Sequence, residues 1–259
     1  MKILVIGDII GKPGRQLVKT ILPELVSKEQ IDFVIANGEN SAGGFGITEK
    51  TANELFNYGV DCITTGNHVW DKKDIIQYIS RNERLLRPLN YPPGVPGYGS
   101  YIYVLKDKTK VAVINLTGRV FMTSVDCPFR TVLPEVQRLS KETSVIIVDM
   151  HGEATSEKLA LGYYLDGKVS AVIGTHTHVQ TADERILPKK TAYLTDVGMT
   201  GPIHSIIGVK VEQIIEKFLL QMPMRYEVAG GECVFSAAII DINKDNGRAA
   251  AIKRLMLTG

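Results

Sequence analysis

Cysteine is scarce in this chain of 259 residues: Cys62, Cys127 and Cys233 are odd in number and widely separated. Such spacing offers neither a disulfide framework nor a thiol-rich zinc knuckle, and it fits a reducing compartment. Long apolar runs are missing too. The opening MKILVIGDII meets Gly7-Asp8 too soon for a signal peptide, and no stretch approaches the roughly 20 apolar residues of a membrane span. A cytoplasmic protein with no membrane partner is the expectation. Charge of one sign is also lacking, since 30 basic and 28 acidic residues leave a net charge of +2. The densest basic spots, Lys106 to Lys110 and Lys189-Lys190, therefore read as solvated turns rather than a nucleic-acid groove. GDIIGKPG lacks both the dinucleotide GxGxxG and the Lys-Ser/Thr ending of a P-loop.

What is present is a series of short apolar runs, each stopped by polar residues. Lys2 to Ile6, Asp32 to Ala36, Cys62 to Thr65, Ser144 to Asp149 and Val169 to Ile173 read as buried strands. Helices are predicted at Gly14 to Lys28, Thr48 to Tyr58 with Thr48 as cap, Asp71 to Ile79, Pro128 to Leu139 and Ala154 to Leu165. Strand and helix alternating at this pace indicate a mostly parallel sheet with covered faces. Tyr101 to Leu105 and Lys110 to Leu116 form a hairpin-like pair that makes the sheet mixed. Arg87 to Gly99, crowded with proline and glycine, is an irregular loop. The last third predicts strands at Ala192 to Leu194, Ile206 to Val211, Met224 to Val228, Glu232 to Ile242 and Ala249 to Leu257, with a helix near Glu212 to Leu220. No linker divides the chain, so residues 1–259 are expected to form a single α/β domain in which two mixed sheets meet face to face with helices outside.

The polar residues that end the strands form one list: Asp8, Glu39, Asn40, Asn67, His68, His151, His176 and His178. Carboxylate and amide oxygens with neutral imidazoles are the donors of hard-to-borderline cations such as manganese, iron or zinc. The absence of thiolate argues against an ordinary structural zinc site. A single strand-end histidine is usually just a hydrogen-bonded residue, and Asp8 alone could cap the helix after Gly11. Eight such residues, each at the carboxyl end of a strand, imply a metal centre, and more donors than one tetrahedral ion takes. Two cations about 3.5 to 4 Å apart need a bridging carboxylate to offset their repulsion, and Glu39 is the candidate. His176 and His178, one residue apart in a tight loop, can each address a different ion.

The ordered segments GDIIG, GEN, GNHVW, MHGE and GTHTH, with DVGMTGP at Asp196 to Pro202, resemble the calcineurin-like metallophosphoesterases, and more closely their YmdB-like bacterial branch. The resemblance spans nearly the whole chain. It implies a four-layer α/β/β/α sandwich and hydrolysis of 2',3'-cyclic nucleotides at a dinuclear iron or manganese site. Carried over by residue, it implies Asp8, Glu39, Asn40 and His178 around one ion, Glu39, Asn67, His151 and His176 around the other, and His68 as the unligated catalytic histidine. The chain departs from the wider superfamily in having Asp8-Ile9-Ile10 where an Asp-x-His is usual and Gly38-Glu39 where Gly-Asp is usual. One imidazole ligand is thereby missing, and Asn40 stands in its place.

The expected chemistry is in-line attack on phosphorus by a metal-activated hydroxide, with His68 protonating the leaving oxygen. Gly43 to Gly46 and the Tyr91 to Tyr98 loop are expected to border the base, while His204 is left without a role. Two other readings fit the same residues: a broader phosphodiesterase or phosphomonoesterase acting on RNA ends among other substrates, and a metal-stabilised regulatory protein. A homo-oligomer is compatible with either.

Overall fold

The computed structural model describes residues 1–259. In chain order its elements are β1 (Lys2–Ile6), β2 (Asp8–Ile9), α1 (Gly11–Glu29), β3 (Phe33–Asn37), α2 (Glu49–Asn57), β4 (Cys62–Thr64), α3 (Ile75–Ile79), β5 (Leu85–Leu86), β6 (Ser100–Val104), β7 (Lys110–Thr117) and α4 (Pro128–Leu139). There follow β8 (Val145–His151), α5 (Thr155–Leu165), β9 (Ala171–Thr175), β10 (Arg185–Ile186), β11 (Ala192–Leu194), β12 (Met199–Pro202), α6 (Val211–Leu220), β13 (Cys233–Ile242) and β14 (Ala249–Thr258).

The strands build two mixed sheets. The first runs β2-β12-β13-β1-β3-β4-β5, with β14 also paired to β13, and the second runs β10-β11-β9-β8-β7-β6. Parallel pairing of β1, β3 and β4 brings the ends of these strands to one edge, as does parallel pairing of β7, β8 and β9 in the second sheet. The backbone alternation of a strand then sorts its side chains between cores. Leu4 and Ile6 of β1 join an apolar cluster with Leu17, Val18 and Leu22 of α1, whereas Ile3 and Val5 join one with Val111, Val145 and Ile173 of the other sheet. A third cluster packs Ile146, Val148 and Val172 against Val132 and Val136 of α4 and Leu161 of α5. These strands read as continuous apolar runs because both their faces are dry.

Local capping agrees with the sequence at α2, where Thr48 accepts from the Thr51 amide and the Thr51 side chain returns to the Thr48 amide. Elsewhere the structure corrects the expectations. The third helix spans Ile75–Ile79 only. Asp71 is drawn to His68, where its carboxylate meets Nδ1 at 2.9 Å, and residues 71–74 form turns instead. The strands predicted at Ile206 to Val211 and Met224 to Val228 are also absent, leaving single bridges Ile206–Val209 and Val209–Val228. Left-handed Ile207 (φ 48°) and Gly208 (φ 100°) close a tight turn there, which an extended strand cannot accommodate.

Candidate metal centre

Both sheets deliver their polar strand ends to one place. Asp8 follows β1 across Gly7, Glu39 and Asn40 follow β3, Asn67 and His68 follow β4, His151 ends β8, and His176 to His178 follow β9. Asp8, Glu39 and His151 are 0% exposed. Glu39 Oε1 lies 2.9 Å from His151 Nε2, Asn67 Oδ1 lies 3.2 Å from the same nitrogen, and His176 Nδ1 lies 3.0 Å from it. Donor atoms of Glu39, His151 and His176 all fall within 4.8 Å of one another, a grouping able to hold a metal ion. On the other flank, Asp8 Oδ1 is 3.7 Å from His178 Nε2, and the Asn40 amide is 3.2 Å from that nitrogen. His68 joins through its backbone, whose N–H donates to Glu39 Oε2 at 3.2 Å. All eight residues singled out in the sequence thus meet at one cluster.

The direction of each imidazole follows from its outer partner. His151 Nδ1 lies 2.9 Å from Thr175 Oγ1, and that hydroxyl donates to Asp149 Oδ1 at 2.7 Å. With its proton committed to Asp149, the hydroxyl accepts from His151, which places a proton on Nδ1 and turns Nε2 inward. His178 Nδ1 lies 2.9 Å from the Ile207 carbonyl, which can only accept, so its Nε2 is likewise the inward nitrogen. His176 Nε2 faces Glu153 Oε2 at 3.3 Å, leaving Nδ1 turned in. Outer partners of this kind orient metal-binding histidines generally. The tight turn at Ile207 therefore has a use that a strand would not serve.

The buried charges of the cluster act strongly on one another. Burial alone would depress the His151 pKa, but the carboxylates of Glu39, Asp8 and Asp149 outweigh it and raise it to about 9. Burial pushes Glu39 up, yet His151 and His68 overcome it and hold the carboxyl at about 2. His176 is driven down to about 3, first by burial and then by the neighbouring His151 charge. Asp8 is raised, chiefly by burial, and its Oδ1 has no hydrogen-bond partner. An unpartnered buried carboxylate oxygen beside the inward nitrogen of His178 is the donor chemistry of a divalent cation. Asp8 does not cap α1, whose N-cap is Ile10 without any side-chain bond.

Gly66 shows how tightly the cluster is built. A Cβ there would run into the His151 ring and Glu39 Oε2. Both neighbours are fully buried and cannot withdraw, so Gly66→Ala is expected to lower stability by about 1–3 kcal/mol, as overpacking does. Thermal denaturation of the two proteins checks this; an unchanged midpoint would show that the cluster yields.

Beside the cluster lies a cavity of about 320 Å³ lined by Glu39, Asn40, His68, His176 and His178 on its polar side and by Ile10, Phe45, Ile207, Val209 and Val228 on its apolar side. Phe45 packs edge-on to His68 with ring centroids 5.2 Å apart. Of the two loops expected at a base, only the glycine-rich one reaches the cavity, through Gly44 and Phe45. Residues 91–98 stay outside its lining, because Tyr91 packs against Trp70 at 6.0 Å. His204 is an exposed loop residue. Reading the sequence missed Glu153, Asp149, Thr175 and Asp71 as partners of the histidines. The glutamate of MHGE was the one visible signal, standing two residues beyond His151.

Fold and site together define a mixed α/β protein whose two sheets converge on a histidine–carboxylate–amide centre, and solved structures share its fold. A phosphatase crystal structure from Mycoplasma pneumoniae matches at TM-score 0.93 and 34% identity, covering 100% of this chain and 93% of that one. A crystal structure of a hypothetical protein from Thermus thermophilus matches at TM-score 0.92 and 42% identity, covering 100% of this chain and 99% of that one. The chain belongs to the YmdB-like protein family, whose model matches residues 4–255. A Bacillus subtilis (strain 168) relative named 2',3'-cyclic-nucleotide 2'-phosphodiesterase is 50% identical over 257 residues, covering 99% of this chain and 97% of the relative.

Proposed function

We propose that this protein is a divalent-metal phosphodiesterase that hydrolyses 2',3'-cyclic nucleotides to 3'-nucleotides. The observation that carries the reading is the set of three imidazoles, each with one nitrogen engaged outward and the other turned into the cluster, that of His151 toward Glu39, that of His178 toward Asp8 and that of His176 toward His151 Nε2. The name of the Bacillus relative supports the choice of substrate. Asp8, Glu39, Asn40 and His178 would hold one ion and Glu39, Asn67, His151 and His176 the other, iron or manganese being the fitting metals. Two cations bound there would supply positive charge for the phosphoryl oxygens and would acidify a water molecule.

The chain's own residues do the rest. Asp71 fixes the His68 ring through Nδ1, at 2.9 Å, leaving Nε2 as its free nitrogen beside the cavity. A water oxygen forms the new bond to phosphorus and releases one proton to solvent, the bond from phosphorus to the 2' oxygen breaks, and His68 delivers a proton to that oxygen. The phosphate stays on the 3' oxygen. Phe45 and Val228 form an apolar wall that excludes water and suits the face of a base. The separate apolar clusters on either face of each sheet support a four-layer α/β/β/α arrangement. A family match over residues 4–255 supports one domain from 1 to 259. No helix is long and apolar enough to cross a membrane.

The test is turnover of 2',3'-cAMP, 3',5'-cAMP and p-nitrophenyl phosphate by chelated protein, before and after addition of Mn²⁺ or Fe²⁺. Metal-dependent conversion of 2',3'-cAMP to 3'-AMP, faster than turnover of the other two, is expected. Equal rates on all three would sink the narrow specificity, and full activity under chelation would sink the metal centre.

A further inference from the structure

Lys158 belongs to α5, a helix that supplies no donor to the cluster, yet its Nζ meets Asp196 Oδ2 at 2.7 Å with side-chain exposures of 1% and 0%. A buried ion pair is weak evidence for stability, because desolvating both charges offsets their attraction. This pair has a visible structural target. Asp196 Oδ2 also accepts the Thr177 N–H at 3.0 Å, and Oδ1 accepts the Gly198 N–H at 2.8 Å. The Gly198 carbonyl in turn takes the Asp8 N–H at 3.0 Å. One buried carboxylate thereby grips the residue between His176 and His178 and, one bond further, the backbone of Asp8.

That grip falls where the chain resists its own conformation. His176 and His178 have φ of 102° and 65°, left-handed backbone that residues with a β-carbon adopt only when their surroundings impose it. Thr177, between them, has its amide tied to Asp196. Gly174 carries no side chain where a Cβ would run into the Thr195 carbonyl and would also come within 2.9 Å of Lys158 Cδ.

We propose that Lys158, acting through Asp196, is a positioning residue that holds the His176-Thr177-His178 loop and the Asp8 backbone in register, so that each of the two imidazoles faces its own ion of the metal centre. The proposal rests on the metal reading given above. Without the Lys158 ammonium, the Asp196 carboxylate would be left buried with no cation. Water would then compete for the atom that holds Thr177, and the loop would relax from its left-handed form.

The experiment titrates chelated wild-type protein, Lys158→Met and the double variant Lys158→Met/Asp196→Asn with Mn²⁺ in a calorimeter, with thermal denaturation in parallel. Mn²⁺ affinity is expected to fall by about 10- to 100-fold in the folded variants, the range typical for partners that orient metal ligands. A pair of purely structural value would lower the melting temperature and leave the affinity unmoved, which would overturn the proposal. The double variant, with neither charge, decides if the single variant does not fold. Independently of any variant, the Thr177 amide of the chelated wild type should be strongly protected from hydrogen exchange; exchange as fast as that of an exposed loop would also overturn it. Wild-type protein that takes up no Mn²⁺ at all would instead overturn the metal centre itself.

Discussion

Glu39→Gln is expected to reduce turnover of 2',3'-cAMP by about 10³-fold or more and to leave the protein with fewer than two bound ions. The change keeps the shape of the side chain and removes one charge. That charge faces His151 Nε2 at 2.9 Å through Oε1 and the His68 amide at 3.2 Å through Oε2, in a place with 0% exposure. Burial works against the carboxylate, and only the positive neighbours keep it ionised, at about 2. A neutral amide there can neither bridge two cations nor balance the charge of His151. Metal ions contribute several kcal/mol of charge stabilisation at a phosphoryl centre, and each 1.36 kcal/mol is about tenfold in rate, so losing even one ion reaches the stated size. Steady-state kinetics with elemental analysis of the same sample checks both parts. Wild-type turnover from a Glu39→Gln protein would remove Glu39 from the centre.

His68→Gln should behave differently. Its expected effect is a fall in kcat of about 10² to 10⁴, the usual contribution of a general acid, with Mn²⁺ affinity unchanged. The ring touches Asp71 and the edge of Phe45 and stands outside the Glu39, His151 and His176 grouping. Glutamine can still hydrogen-bond but cannot deliver a proton. The loss should therefore shrink sharply on bis(p-nitrophenyl) phosphate, whose leaving group departs as a stable anion without protonation. An equal loss on both substrates would assign His68 to the orientation of Asn67 instead. Loss of metal along with activity would make it part of the cation site.

The two variants probe residues that stand out in the linear sequence, and the reason is local. Strands β1, β3, β4, β8 and β9 are nearly all buried, so each stands out as an apolar run and its end is marked by the first polar residue that follows. Parallel pairing of such strands places those ends side by side within each sheet, Asp8, Glu39 and Asn67 in one and His151 and His176 in the other. The same reasoning failed at Ile206 to Val211. That segment is apolar because Ile207 and Val209 wall the cavity, and hydrophobicity alone does not distinguish a cavity wall from a strand. It failed again at Asp71, where a side-chain bond to His68 prevailed over helix extension.

Residue chemistry and strand position were thus determined by the sequence itself: which groups can bind a cation or carry a proton, and which end of which strand each follows. Only tertiary structure decided which nitrogen of each imidazole faces inward. Tautomer and ring direction depend on the atom that meets the opposite nitrogen, and that atom comes from elsewhere in the chain. For His151 it is Thr175, 24 residues away, and for His178 it is the Ile207 carbonyl, 29 residues away. The left-handed turn at residues 176–178 is likewise unfavourable to the local sequence, and it is held by Asp196 and Lys158 because folding buries their charges beneath it.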